Sequence, residues 1–197
     1  IVARARTGRA AIESVEAQRR RLPPPQLYDL TELQRAANRI FGWSATRTLE
    51  VAQSLYESKK LLSYPRTDSR HLSKSVAATL PRIASAIAGP YREQLAPGTG
   101  ERPLGSRFVD DARVSDHHAI IPTGQSPERA GLSADEARLF DLVARRLLAA
   151  WHEDHVYATT TVVTAITSSE PAPIVDRYRS QGSAVVTLGW RALEGAQ

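Results

Sequence analysis

Seven residues from Tyr64 to Arg70 (Tyr-Pro-Arg-Thr-Asp-Ser-Arg) hold a phenol, two guanidiniums, two hydroxyls and a carboxylate. On an extended chain, residues two apart point to the same side, so Tyr64 and Arg66 can act together. A tyrosine oxygen beside a bidentate phosphate clamp suits transfer of a phosphoryl group to that oxygen. Thr67 and Ser69 offer donors to phosphate oxygens, and Asp68 can orient an arginine or cap a following helix. A free phenol has a pKa of about 10, so only about a thousandth is ionised at neutral pH. The chemistry therefore needs a neighbour that removes or stabilises the charge. A half-buried strand tyrosine ahead of a helix start explains the same residues, and residue types alone do not choose.

The elements around this segment can be read from periodicity. Ala11–Glu16 alternates loosely like a strand, and Arg19-Arg20-Arg21-Leu22 runs extended into Pro23-Pro24-Pro25, a break between folding units. Thr31 and Gln34 form a capping-box pattern, followed by an apolar stripe of Leu33, Ala36, Ala37, Ile40 and Phe41, with Gly42 as a C-terminal cap. Ser44 caps a second helix bearing Leu49, Ala52, Leu55 and Tyr56, so residues 31–57 read as a helix-turn-helix. Leu61–Tyr64 reads as a short extended piece ahead of Pro65. Residues 73–88 are helical with a break at Pro81, 97–107 form a loop, and Ser133 with Glu136 opens a long helix reaching about Trp151. The period then changes to two: residues 156–168 and 183–190 read as strands. The class is α+β, with a β unit formed from both ends and an α-rich insert between them.

Composition narrows the function. The chain has 197 residues, no cysteine and no methionine. Disulfides, thiol nucleophiles and cysteine-held zinc are excluded. No run of about 18 apolar residues predicts a membrane span, and neither end resembles an export signal, which suggests a cytoplasmic protein. A start at Ile-Val-Ala-Arg reads as a piece of something longer. Net charge is +5, but residues 1–75 carry +7 and the remainder −2. A surplus concentrated near Tyr64, through Arg35, Arg39, Lys59, Lys60 and Arg70, points to a polyanion such as nucleic acid.

Tyr-Pro-Arg-Thr-Asp-Ser at 64–69 resembles the active-site tyrosine motif of type IA DNA topoisomerases, in the form used by the topoisomerase III branch. Residues 23–30 (Pro-Pro-Pro-Gln-Leu-Tyr-Asp-Leu) are similar to that family's entry into its tyrosine domain, and Leu33–Asn38 and Ala52–Glu57 to its next two helices. Phe108–Asp111 and Asp116–Thr123 resemble its histidine motif, and Leu188-Gly189-Trp190 its return strand. The likeness covers nearly the whole chain, in order. It implies that Tyr64 is the nucleophile taking a 5′-phosphate of single-stranded DNA, that Arg66 holds the scissile phosphate, and that His117 is the active-site histidine. His118 falls where other branches place an acid. Thr67, Asp68, Ser69, Arg70 and His118 join the basic residues above as expected DNA contacts.

The resemblance also implies an architecture: a winged-helix-like tyrosine domain (23–150) inserted into a β arch made by 1–22 and 151–197. The tyrosine domain swings to open a gate. Magnesium is implied on a separate toprim-type domain, which the chain lacks and which would be a partner. Within the chain no metal site is expected, since the adjacent Asp110 and Asp111 diverge on an extended segment. His152-Glu153-Asp154-His155 has the wrong spacing for a zinc helix. A tyrosine recombinase is disfavoured because no His-x-x-Arg occurs. A noncatalytic module that binds single-stranded DNA or docks a partner remains the alternative.

Overall fold

In a computed structural model, residues 1–168 and 173–194 are described. Positions 169–172 and 195–197 of the expected return segment lie outside them. The chain divides into two units. The first comprises Ile1–Leu22 and Asp154–Gly189, and the second Pro23–Glu153 with the described residues from Trp190 onward.

The first unit contains a short helix α1 (Val2–Thr7) and three strands: β1 (Arg9–Leu22), β2 (His155–Ser168) and β3 (Ile174–Thr187). They form one antiparallel sheet in the order β1-β2-β3. β2, rich in threonine and valine, takes the central place, where β-branched side chains pack on both neighbours. Leu22 pairs with His155, so the chain leaves and re-enters the sheet at facing positions. All fourteen residues of β1 are exposed, and none of the described apolar residues of this unit is buried. The arginine run at 19–21 continues β1 up to Pro23. β3 begins at Ile174, well before the expected position 183. Its first half carries Asp176, Arg177 and Arg179, which weaken the sequence signal but sit on an exposed edge. Ion pairs help hold the edges: Arg4 of α1 forks onto Asp176 of β3 (2.8 and 2.9 Å), and Arg177 Nε of β3 meets Glu13 of β1 at 2.7 Å. Gly8 lets α1 approach the sheet, since a Cβ there would lie 2.6 Å from Ile166 Cγ2.

The second unit carries the apolar core. α2 (Leu30–Phe41) buries Leu33, Ala36 and Ala37, and Gly42 ends it at φ 70°. α3 (Ala45–Glu57), capped by Ser44, buries Thr48, Val51, Ala52 and Leu55. The buried face therefore runs through Thr48 and Val51, and not through Leu49 and Tyr56 as expected. α4 (Lys74–Ala77) and α5 (Leu80–Ile87) follow, with Pro81 in the first turn of α5, where its missing N–H does no harm. α6 (Ala134–Ala149) opens with the expected Ser133–Glu136 capping box and buries Leu139, Val143 and Leu147. Arg47–Asp135 (2.6 Å) and Ser54–Glu136 (2.7 Å) tie α3 to α6.

Two expectations fail here. Asp29, and not Thr31, caps α2: its Oδ1 accepts the Glu32 N–H at 2.6 Å, so the Thr31–Gln34 box does not form. Leu188-Gly189-Trp190 is not a strand. A 3-10 turn spans Gly189–Leu193, and the backbone from Trp190 joins the helical unit through Trp190 N–H to Glu153 O and Arg145 to Leu193 O. Asp29→Ala should therefore destabilise this unit by about 1 kcal/mol in urea unfolding, while Thr31→Ala changes little. The reverse order would restore the cap to Thr31.

Candidate active site around Tyr64

The tyrosine segment has no regular structure of its own, and its geometry comes from a second segment some fifty residues later. Leu62 bridges Pro122. Ser63 N–H donates to Ile121 O, while Ser63 Oγ donates to Ala119 O (3.2 Å) and accepts from Ile121 N–H (2.9 Å). Thr67 Oγ1 donates to His117 O at 3.0 Å and accepts from Ser69 N–H at 3.1 Å. Ser69 Oγ donates to Arg113 O at 2.8 Å, and Ala119 N–H returns to His71 O. The two motifs at 64–69 and 116–123 are thus one interlocked unit.

That lock sets Tyr64 against His117, with ring centroids 4.4 Å apart and tilted by 45°. Tyr56, from the last turn of α3, also meets Tyr64, edge-on at 5.4 Å. Lys60, whose backbone is left-handed at φ 56°, holds its ammonium 5.8 Å from the Tyr56 ring. Pro65 is buried, which leaves half-buried Tyr64 and exposed Arg66 on either side of it. Arg66 and Asp68 make no side-chain hydrogen bond or ion pair among the described residues, and both are exposed. His117 is exposed as well. The phenol and the imidazole lie side by side, and Arg66, two residues from Tyr64, is open to solvent. Neither Tyr56 nor Ser63 stood out in the sequence: one reads as an apolar helix residue and the other as a spacer.

Other expected contacts are used differently. Thr67 and Ser69 are buried and bind backbone, so their hydroxyls brace the loop. Asp68 caps nothing, since Ser73 accepts from Val76 N–H at the start of α4. Lys59 Nζ donates to Ala130 O and Gly131 O, both at 2.9 Å. Arg70 Nε donates to Leu27 O at 3.1 Å. Arg35 pairs with Glu32 at 2.6 Å, and Arg39 lies in a cavity that none of Tyr64, Arg66 and His117 lines.

The adjacent histidines differ in kind. His118 turns inward, and its Nδ1–H donates to Ala119 O at 2.7 Å. Burial pushes its pKa below the usual value, reinforced by His117 and opposed by the Ala119 bond. Buried His71, beside Gln26, is lowered by the same cause and by Arg113 and Arg70.

The described residues do not fit a magnesium ion. No group of three or more histidine or acidic side chains converges among them. Asp110 caps Ala112 N–H and meets Arg113, while Asp111 accepts Lys74 N–H. His152 and His155 of the superficial zinc pattern fall in different units, His155 Nδ1 lying 3.1 Å from Leu188 O.

Histidines with depressed folded pKa values carry a definite sign. The unfolded chain binds the extra protons below about pH 6.5, so stability is lost as pH falls through that value toward the folded pKa. A nuclear magnetic resonance titration should place the His118 midpoint below 6.5, and His118→Gln should flatten the loss of stability between pH 7 and 5. A midpoint at or above 6.5 contradicts the inward assignment.

The family described as DNA topoisomerase matches residues 1–197. A DNA topoisomerase 3 of Shouchella clausii is 41% identical over 186 residues, covering 93% of this chain and 25% of the relative. A DNA topoisomerase 3 of Bacillus licheniformis is 42% identical over 171 residues, covering 86% and 23%. Full-length topoisomerase I from Thermotoga maritima superposes with a TM-score of 0.64 at 23% identity, over 95% of this chain and 30% of that one. The chain thus spans about a quarter of the length of these curated relatives. It belongs to the DNA topoisomerase family, as a type IA, topoisomerase III-like member.

Proposed function

We propose that this chain supplies the nucleophilic half of a type IA topoisomerase site, which cleaves single-stranded DNA and reseals it. The observation that carries the reading is the contact of the Tyr64 ring with His117 at 4.4 Å, with exposed Arg66 two residues from Tyr64. In this reading Tyr64 Oη attacks the scissile phosphorus and loses its proton. A phosphorus–oxygen bond to tyrosine forms, the bond to the 3′ oxygen breaks, and that oxygen takes up a proton. The 5′ side of the break stays on Tyr64. Because one phosphoester replaces another, resealing by the 3′ hydroxyl needs no nucleotide. Arg66 forks onto the phosphate, and His117 donates to an oxygen whose charge grows in the transition state. Tyr56 and His117 both contact the Tyr64 ring and restrict it.

No three acidic or histidine side chains converge among the described residues, and in this reading magnesium sits on a toprim-type domain outside this chain, which alone binds DNA without turnover. The helical unit acts as a winged-helix-like tyrosine domain (23–150), and the sheet as part of an arch on which it swings. DNA and the metal-bearing domain are its partners, in the cytoplasm. No described helix is long and apolar enough to cross a membrane.

Two measurements test this. In the full-length parent enzyme, Tyr64→Phe should abolish the covalent 5′-phosphotyrosine adduct and leave DNA binding unchanged. His117→Ala should slow cleavage by roughly 10²-fold, and inward-facing His118→Ala by less. Equal effects of the two histidines, or an adduct on another residue, would sink the assignment. Binding of single-stranded DNA should also weaken steeply with salt, as counterions are released from the phosphates it neutralises. Salt-independent binding, or preference for duplex, speaks against it.

A further inference from the structure

Within the helical unit, α2, α6 and the segment after Trp190 enclose a cavity of about 670 Å³, well inside the size range of small-molecule sites. Four guanidiniums reach it, from Arg39, Arg145, Arg146 and Arg191, against the carboxylates of Asp141 and Glu194. Both carboxylates are already engaged. Asp141 binds Arg145 at 2.9 Å and accepts the Tyr91 hydroxyl, and Glu194 meets Arg191 at 3.4 Å. Arg39 and Arg146 have no carboxylate partner among the described residues. Arg146 is held rigidly: Nη1 donates to Gln26 O at 2.9 Å, Nη2 to Tyr28 Oη at 2.7 Å, and the guanidinium lies 3.9 Å from the Tyr28 ring. Burial depresses its pKa, Arg70 and Arg39 push the same way, and Tyr28 and Glu194 oppose them. A partly buried guanidinium with no carboxylate within ion-pair distance, facing a cavity that an exposed second arginine also lines, suits an anion. Phe41 and Trp190 stand on the lining, aromatic faces of the kind on which nucleobases stack.

We propose that this cavity binds a nucleotide unit, with its phosphate between Arg39 and Arg146 and its base against Phe41 or Trp190. The site is distinct from the Tyr64 cluster and stands whether or not that chemistry is right. A planar guanidinium pre-fixed by two hydrogen bonds loses little freedom on meeting phosphate, which favours recognition by geometry as well as charge. The occupant is either a free nucleotide or one unit of a strand, and the chemistry is the same.

The test uses the 197-residue chain with thymidine 5′-monophosphate, thymidine and pentathymidylate lacking terminal phosphates. Thymidine monophosphate should shift the Trp190 indole resonance, and thymidine should not at equal concentration. Arg39→Glu, on an exposed side chain, should weaken monophosphate binding by about tenfold, whereas Arg66→Glu should leave it unchanged. Competition by pentathymidylate assigns the site to a strand, and its failure to compete assigns it to a free or terminal phosphate. No shift at Trp190, equal binding of thymidine, or loss in Arg66→Glu but not in Arg39→Glu would overturn the proposal.

Discussion

The carbonyl oxygen of His117 accepts a hydrogen bond from the Thr67 hydroxyl, and the rest of the candidate site depends on that contact. Neither segment is a helix or strand, so neither can fix a side chain by its own backbone pattern. Each is instead the other's template, through Ser63, Thr67, Ser69 and the Leu62–Pro122 bridge. Buried hydroxyls suit this purpose because each donates and accepts at once, satisfying two backbone groups that would otherwise lie unpaired. The arrangement gives Tyr64 and His117 a defined distance without placing either on a regular element. It also explains why the polar residues flanking the tyrosine are mostly turned inward.

Charge is distributed with the same economy. The positive surplus of the first 75 residues is real, but part of it is built into the protein. Lys59 closes on two carbonyls and Arg70 on Leu27, and later in the chain Arg107 closes on Pro24 and Arg146 on Gln26. These cations serve as structural donors where a loop leaves carbonyls unpaired, and their charge still adds to the long-range field. Arg66, exposed and uncommitted beside Tyr64, is different in kind. Summed charge therefore describes attraction to a polyanion at a distance, while bonding partners decide which cations touch it.

Much of the fold was legible because it is locally encoded. Ser44, Gly42 and the Ser133–Glu136 pair act within one helical turn, so their sequence pattern is their mechanism. Asp29 and Thr31 are both cap-type residues two apart, and the choice between them is tertiary: Leu30 N–H donates to Thr67 O, which starts the helix at Leu30. The early half of β3 was hidden because Asp176 and Arg177 are stabilised by Arg4 and Glu13, residues far away in sequence. At the site, the Tyr64 and His117 motifs could be singled out, but their contact and the part played by Tyr56 could not. Ring-to-ring contact between residues fifty apart leaves no local periodicity. Arg39 was counted with the cations near Tyr64, since sequence proximity carries no information about which cavity a helix face lines.

The pairing of Leu22 with His155 has a consequence for how the chain reaches this structure. β2 and β3 form a local hairpin, but pairing β1 onto β2 before the insert folds would close a loop of about 130 unfolded residues, at an entropic cost of about 4–5 kcal/mol. Strands with no buried apolar residue have little to set against that cost. Prior folding of the inserted helices removes most of that entropy and so lowers the cost. The β1–β2 pairing is thus the part of the sheet that leans on the insert, and local opening by hydrogen exchange would begin in β1 while the helical core stays closed.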